Sequence, residues 1–208
     1  VGSELLTPDR VDTNSLFLTA QLNRLGIEVT RKAVVGDELA ALRNAFDEAI
    51  KRAELVIATG GLGPTEDDRT REAVADLLGR KLSRDPAVMS KIEARFRQLG
   101  RKMSEVNTRQ AMVPEGATVL NNDRGTAPGL WLEANGRIVI LLPGPPHELK
   151  AMFSAQVEPR LALGEREPVT IVAHSAAPRD LVVAIGAGVD MFDWVLPTRN
   201  ALNGQAIL

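Results

Sequence analysis

The segment from Thr59 to Thr70 is rich in glycine and lies between two apolar patterns of different period. Before it, residues 55–59 form a short apolar run that is typical of a strand buried on both faces of a sheet. After it, apolar residues recur at the spacing of a helix: Ala73, Val74, Leu77 and Leu78. A glycine turn between a buried strand and a helix presents backbone N–H groups at the helix N-terminus, which favours an anion, usually a phosphate.

The same turn carries two neighbouring carboxylates, Asp67 and Asp68. A phosphate and two carboxylates repel one another unless a cation lies between them, so the turn predicts a metal-bridged phosphate site. The alternative is that the aspartates only cap the following helix, although a cap needs a single carboxylate. The spacing matches neither G-x-x-x-x-G-K-[ST] nor G-x-G-x-x-G, so the segment is not one of the common nucleotide-binding loops.

Composition excludes several classes of protein. A hydrophobic content of 44% and a charged content of 25% are ordinary for a globular domain, and the net charge of −2 gives no reason to expect a nucleic-acid partner. The chain has no cysteine and two histidines, His147 and His174, which excludes thiolate catalysis and cysteine- or histidine-rich metal sites. No apolar run approaches the roughly 18 residues that span a bilayer, and the start lacks a signal-peptide pattern, so we expect a cytoplasmic protein without a membrane partner.

The first half of the chain alternates between helical and strand patterns. Residues 12–25 have a helical pattern, and residues 27–35 are predicted as a strand. Asp37 is the predicted N-cap of a helix that reaches about residue 50. The strand at residues 55–59 and the helix after the glycine turn follow. This alternation predicts a parallel sheet covered by helices on both faces.

The second half begins with a helix whose predicted cap is Asp85 and whose first residue is Pro86. Asn135-Gly136 predicts a hairpin turn. Helices are also predicted at residues 104–112 and 149–163, and strands at residues 117–120 and 137–142. A polar segment at residues 164–168 marks a domain boundary, so we expect a domain over residues 1–163 and a short C-terminal βα appendage within residues 164–208, with a strand at 169–173 and a helix at 178–185.

Three turns follow strand ends in this arrangement: residues 60–70, 125–129 and 143–146. In an open parallel sheet, ligands bind outside the C-terminal ends of the strands, so the three turns predict one ligand pocket. The alternative is that glycine and proline in these turns only terminate strands.

Six motifs occur in the order and spacing of one protein family. They are Val1-Gly2-Ser3-Glu4-Leu5-Leu6, Asp12-Thr13-Asn14, Val35-Gly36-Asp37, Gly60-Gly61-Leu62-Gly63-Pro64-Thr65 with Asp67-Asp68-Arg69-Thr70, Gly125-Thr126-Ala127-Pro128-Gly129, and Leu142-Pro143-Gly144-Pro145-Pro146-His147-Glu148. Residues 1–163 therefore resemble the N-terminal domain of the competence/damage-inducible CinA proteins, which has the molybdopterin-binding fold of MoaB and MogA. The resemblance implies an α/β three-layer sandwich with a mostly parallel sheet, a first strand that is truncated here, and a homo-oligomer.

The resemblance also implies metal-dependent ADP-ribose pyrophosphatase activity, with a nucleotide as the small-molecule partner and a divalent cation of the Mg, Mn or Co class. Carried over by position, Asp37, Asp67 and Asp68 are candidate catalytic residues, and Asp67 and Asp68 are candidate metal ligands. The residues implied to bind phosphate or nucleotide are Ser3, Glu4, Asn14, Gly60, Gly61, Gly63, Thr65, Thr70, Gly125, Thr126, Pro143, Gly144 and Glu148. Hydrolysis of a phosphoanhydride by water activated on the cation, with backbone amides stabilising the developing charge, is the mechanistic hypothesis.

A different resemblance begins after the domain boundary. Residues 178–182, 188–200 and 203–206 resemble tRNA-guanine transglycosylase. In that family the aspartate at the Asp193 position is the nucleophile and the arginine at Arg199 contacts RNA, but a second family arginine is Leu202 here. That enzyme is a barrel with a cysteine-rich zinc site, which this length and composition do not provide, so transglycosylase activity is not expected.

Three interpretations of the whole chain follow. The chain is a metal-dependent nucleotide pyrophosphatase, a non-catalytic module that binds a molybdopterin or a nucleotide, or an inactive fusion that carries a transglycosylase fragment. An assay of ADP-ribose hydrolysis with and without a divalent metal separates the first two.

Overall fold

The computed structural model describes residues 1–2 and 12–162, together with the backbone of residues 173–174 and 192–193. The chain divides into two compact units, Val1–Leu163 and Gly164–Leu208. None of the helices in the described residues is long and apolar enough to cross a membrane.

The first unit contains six α-helices and six strands among its described residues. Helices α1 to α6 span Thr13–Arg24, Leu39–Arg52, Thr70–Leu77, Pro86–Gln98, Pro146–Met152 and Glu158–Ala162. Strands β1 to β6 span Leu55–Thr59, Leu82–Arg84, Met112–Pro114, Thr118–Leu120, Gly129–Ala134 and Arg137–Leu142. A 3₁₀-helix, Glu105–Ala111, precedes β3, and a π-helical turn, Phe153–Val157, joins α5 to α6.

The main sheet has the strand order β1-β6-β5-β4. The β1–β6 ladder is parallel, whereas the β6–β5 and β5–β4 ladders are antiparallel. Strands β1, β4 and β6 therefore run in one direction and β5 in the other, so the sheet is mixed. Three of the four strands run in the same direction, as the prediction of a mostly parallel sheet requires. Two of the three ladders are nevertheless antiparallel, because the predicted hairpin makes β5 run against β6.

Alternation along the central strands divides the core between the two faces of this sheet. Val139 and Leu141 of β6 belong to a cluster that includes buried residues of α2, α3 and α4. Ile140 and Leu142 belong to a second cluster with residues of α1, α5 and the π-helical turn. Helices thus cover both faces of the sheet, and the predicted α/β three-layer sandwich is confirmed.

Local sequence signals produce the elements that they predict. Asp85 caps α4, where its carboxylate accepts hydrogen bonds from the N–H groups of Ala87 (2.8 Å) and Val88 (2.9 Å). Asn135 and Gly136 adopt positive φ values of 52° and 75°, as a two-residue hairpin turn between β5 and β6 requires.

Two local predictions are wrong. Residues 27–35 do not form a strand. The N–H of Gly2 donates to the Val35 carbonyl (3.1 Å), but a strand needs a continuous ladder, and none of the described residues provides one for this segment. The N-cap of α2 is Glu38 rather than Asp37, and the Glu38 side chain makes no capping hydrogen bond.

A second, small sheet was not predicted from the sequence. Strands β2 and β3 pair in an antiparallel ladder of three residues each. Such short strands carry too few residues for a period of two to be recognised.

In the second unit, strand β7 (Ala173–His174) pairs in parallel with strand β8 (Phe192–Asp193). The strand predicted at residues 169–173 overlaps β7 at its last residue. The helix predicted at residues 178–185 lies outside the described residues.

Candidate functional site

A cleft of about 440 Å³ opens at the edge of the sheet where β1, β4 and β6 end. The loops that follow these three strands meet there because the three strands run in the same direction. A backbone hydrogen bond from Gly60 N–H to the Leu142 carbonyl (2.9 Å) joins the first loop to the end of β6. The three turns that the sequence analysis expected to converge therefore form one cleft.

The first loop begins with two glycines in left-handed backbone conformations. Gly60 has a φ of 90° and Gly61 a φ of 66°, which side chains other than glycine rarely allow. A Cβ atom at Gly61 would also overlap the hydroxyl oxygen of Thr70 at the start of α3. The loop thus lies so close to α3 that only glycine fits there.

Thr70 donates hydrogen bonds to the first two carbonyl groups of this loop. Its Oγ1 donates to the Gly60 carbonyl (3.0 Å), and its backbone N–H donates to the Gly61 carbonyl (3.2 Å). Thr70 is completely buried. Both peptide groups therefore direct their carbonyls toward α3.

Arg71 donates hydrogen bonds to the next two carbonyl groups. Its Nη1 donates to the Leu62 carbonyl (2.7 Å), and its Nη2 donates to the Gly63 carbonyl (2.9 Å). In a trans peptide the N–H points opposite to the C=O. The N–H groups of residues 61–63 are therefore directed away from α3, which is the arrangement of an anion-binding loop.

Asp68 closes this loop with its side chain. Its Oδ2 accepts hydrogen bonds from the Thr65 N–H (2.9 Å) and the Thr65 hydroxyl (2.6 Å). A Cβ atom at Gly63 would collide with the Asp68 carboxylate. The N-cap of α3 is Arg69, so neither Asp67 nor Asp68 occupies the capping position that was the alternative interpretation.

Asn122 supports the opposite wall of the cleft. Its Nδ2 donates to Glu148 Oε2 (2.6 Å) and to the Ala127 carbonyl (2.8 Å), while its Oδ1 accepts from the Gly125 N–H (2.8 Å). A Cβ atom at Gly125 would collide with the Glu148 carboxylate. These contacts hold Glu148, whose side chain is 13% exposed, at the cleft surface.

The third loop is held by α1. Asn14, which is buried, donates from Nδ2 to the Gly144 carbonyl (2.7 Å). A Cβ atom at Gly144 would lie 3.5 Å from the Cα atom of Gly60. The first and third loops are therefore in close contact.

Most of the site residues implied by the resemblance line this cleft. They are Asp37, Gly60, Gly61, Gly63, Thr65, Asp67, Asp68, Thr126, Pro143, Gly144 and Glu148. Asn14, Thr70 and Gly125 do not line it, but each contacts a residue that does. Ser3, Glu4 and Arg199 lie outside the described residues, and only the backbone of Asp193 is described, in the second unit.

Gln110 and Arg71 were not predicted from the sequence. Gln110 is 2% exposed and lines the cleft from the 3₁₀-helix. Arg71 is 0% exposed, and its burial lowers the pKa of the guanidinium, an effect that the carboxylates of Glu72 and Asp68 partly offset. A signal for Arg71 exists, because it lies three residues before Val74 on the buried stripe of α3.

Four carboxylates line the cleft: Asp37, Asp67, Asp68 and Glu148. No three histidine, aspartate or glutamate side chains in the described part of the chain are placed to hold a metal ion together. Mg²⁺ commonly binds proteins through one or two carboxylates together with substrate phosphates. The donor set therefore fits a cation that binds together with a phosphate.

An α/β three-layer sandwich with a glycine-lined acidic cleft at its strand ends defines the class of this domain. Residues 1–163 match the family described as "Probable molybdopterin binding domain". The CinA protein of unknown function from Thermoplasma acidophilum superposes with a TM-score of 0.71 at 35% identity, over 77% of this chain and 93% of that one. The chain therefore belongs to the family of probable molybdopterin-binding domains, among its CinA-like members.

Two curated relatives agree with this assignment. A CinA-like protein from Solibacter usitatus is 60% identical over 162 residues, and a putative competence-damage inducible protein from Symbiobacterium thermophilum is 53% identical over 163 residues. Each match covers 78% of this chain but only 39% and 38% of the respective relative. A molybdopterin biosynthesis protein from Mycobacterium abscessus, 21% identical with a TM-score of 0.51 over 77% of this chain and 87% of that one, shares the fold.

The end of the chain matches a second family. Residues 147–208 match the family described as "Queuine tRNA-ribosyltransferase". The resemblance of the C-terminal segment to a transglycosylase fragment is therefore confirmed as a sequence similarity. The two matches overlap over residues 147–163.

Proposed function

We propose that the cleft binds a nucleotide that contains a pyrophosphate, of the ADP-ribose type, and hydrolyses its phosphoanhydride bond with a divalent cation. The observation that carries this proposal is the loop at residues 60–63. Its consecutive carbonyls accept hydrogen bonds from α3, so the N–H groups of residues 61–63 are directed to the side where phosphate oxygens would bind. An amide-lined loop beside carboxylates suits an anionic ligand that arrives with a cation.

In this proposal the loop amides hold the phosphate and stabilise the charge that develops on its oxygens during hydrolysis. Asp67 and Asp68 would hold the cation, and Asp37, which also lines the cleft, would orient or deprotonate the attacking water. When bound, the cation would neutralise phosphate charge and make water more acidic. Thr65 fixes the Asp68 carboxylate through two hydrogen bonds, so that it meets the ligand in a single orientation.

The substitution Asp68→Asn tests this function. It keeps the size of the side chain but removes the charge that the cation requires, so we expect turnover of ADP-ribose in the presence of Mg²⁺, Mn²⁺ or Co²⁺ to fall by at least about a hundredfold. Release of AMP, followed by chromatography, measures it. The matched control is Asp76→Asn, which removes an exposed aspartate of α3 that pairs with Arg43 of α2, and it should leave turnover unchanged. Undiminished turnover in Asp68→Asn would refute the role of Asp68.

A second candidate function is binding of a nucleotide or a pterin without hydrolysis. The family that residues 1–163 match supports it, because that family is described as a probable molybdopterin binding domain. Calorimetric titration with ADP-ribose in the presence of Mg²⁺, followed by analysis of the recovered ligand, separates the two candidates. Saturable binding with intact ligand supports the binding module, and conversion to AMP supports the hydrolase.

A further inference from the structure

Arg71 occupies a position that is unfavourable for an arginine. It is 0% exposed, although arginine is rarely buried completely without a charged partner. It also lies in the first turn of α3, where the positive end of the helix dipole disfavours a cation. A residue kept at such a position is expected to have a function that offsets its cost.

The contacts of Arg71 do not neutralise its charge. Its two terminal nitrogens bind the carbonyls of Leu62 and Gly63, and its buried Nε has no hydrogen-bond partner among the described residues. In that same part of the chain no carboxylate lies within ion-pair distance of it, and Asp68 and Glu72 act on it only through longer-range attraction. Arg71 is therefore a buried positive charge directly behind the glycine loop.

The contacts between Arg71 and the loop peptides favour the binding of an anion in the cleft. A guanidinium that binds the Leu62 carbonyl fixes the plane of that peptide group and directs the N–H of Gly63 to the opposite side. Its second hydrogen bond, to the Gly63 carbonyl, fixes the next peptide group, which has no N–H because residue 64 is proline. The planar fork of arginine holds two acceptors in a fixed geometry, which the single ammonium of lysine does not do.

We propose that Arg71 is the positioning residue of the phosphate loop: it fixes the loop peptides from the buried side and adds a positive charge that strengthens phosphate binding. This inference rests on the proposed function, because it assigns Arg71 to the binding of the pyrophosphate group. Arg71 does not line the cleft, so its effect would be transmitted through the backbone of residues 62 and 63.

Two substitutions in the whole chain separate the contribution of the charge from that of the two hydrogen bonds. Arg71→Lys keeps a charge but loses the fork, and Arg71→Met loses both. We expect the dissociation constant for ADP-ribose with Mg²⁺, measured by calorimetry, to rise about tenfold or more in Arg71→Lys and further in Arg71→Met. The KM of any hydrolysis should rise in the same order. A purely structural role would instead reduce the active fraction, which lowers the apparent kcat and leaves KM unchanged.

Arg80→Met provides a matched control. Arg80 also donates to two backbone carbonyls, those of Glu115 (2.8 Å) and Glu133, but it does not line the cleft. We expect Arg80→Met to lower the thermal unfolding temperature without changing the dissociation constant. If Arg71→Met does not fold, Arg71→Lys still gives the comparison.

The outcomes distinguish this inference from the function on which it rests. If the unsubstituted protein binds ADP-ribose and Arg71→Lys binds it equally well, the role of Arg71 is refuted while the proposed function stands. An equal loss of affinity in Arg80→Met would also refute it, because the effect would then be general destabilisation. If the unsubstituted protein does not bind ADP-ribose, both proposals fail together.

Discussion

At the scale of single residues, Asn122 shows how a polar side chain shapes the cleft without facing a ligand. Its carboxamide donates to the Ala127 carbonyl and to Glu148, and accepts from the N–H groups of Gly125 and Arg124. An asparagine can do this because it carries both donors and acceptors, whereas an aspartate carries only acceptors.

The substitution Asn122→Asp tests this arrangement through its pH dependence. It places an oxygen where Nδ2 now lies, 2.6 Å from Glu148 Oε2. Two carboxylates at such a distance cannot both ionise, so the folded-state pKa of one is raised above its unfolded value. Stability is then lost as pH rises, and we expect the loss of unfolding free energy to be larger by about 1–3 kcal/mol at about pH 8 than at about pH 5.

Urea unfolding at the two pH values measures this difference. Asn121→Asp is the matched control, because its side-chain oxygen accepts from Lys91 Nζ, and a carboxylate there gains a favourable charge pair. A loss in Asn122→Asp that is equal at both pH values would contradict the proposed contact with Glu148.

The residues of the cleft differ in how well the sequence predicts them. Gly60, Gly61 and Asp68 belong to a contiguous motif whose chemistry is local, so the sequence identifies them. Arg71 and Gln110 are distinguished by their burial. Burial depends on the residues that pack against them and cannot be inferred from their neighbours in the sequence. Arg71 nevertheless has a signal in the sequence, because it is a charged residue on the otherwise apolar stripe of α3.

At the scale of secondary-structure elements, the caps of two helices allow a direct comparison. Asp85 caps α4 with two hydrogen bonds, whereas Glu38 occupies the cap position of α2 and makes none. We expect Asp85→Ala to lower the free energy of unfolding by about 1 kcal/mol and Glu38→Ala to change it by less than about 0.5 kcal/mol. Chemical denaturation measures both, and an equal effect of the two substitutions would contradict the assignment of the caps.

The elements that the sequence predicts correctly are those with local signals. The capped helix α4 and the hairpin at Asn135 are each specified by residues within a few positions of one another. The strand predicted at residues 27–35 is wrong because apolar residues alone are not sufficient for a strand, and none of the described residues forms a ladder with this segment. Residues 27 and 29 instead pack individually against the core under α1.

At the scale of the whole molecule, we expect the first unit to fold independently of the residues that follow it. Its described residues form two hydrophobic clusters, one on each face of the sheet. The solved CinA protein from Thermoplasma acidophilum matches this unit over 93% of its own length, so a chain of little more than this domain folds in that case. The homo-oligomer implied by the resemblance stays a prediction.

A chain that ends after Leu163 tests this independence. We expect its thermal unfolding temperature, measured by circular dichroism, to lie within about 2 °C of that of the full chain, with unchanged affinity for ADP-ribose. A chain that ends after Gln156 is the control. It lacks the buried side chains of Val157 and Leu161, so it should lose at least about 3 kcal/mol of unfolding free energy. Failure of the longer chain to fold would show that the first unit depends on the residues that follow it.

The four carboxylates that line the cleft together with the amide loop have a consequence for regulation. If a nucleotide and a cation share the cleft, the cation reduces the repulsion between the carboxylates and the phosphates, and the phosphates add negative charge that attracts the cation. Their binding free energies are therefore coupled. Linkage requires this coupling to be reciprocal, and the cation must raise the affinity for the nucleotide by the same factor as the nucleotide raises the affinity for the cation. The cleft would then respond to the two concentrations jointly, and a cell could control its occupancy through either one.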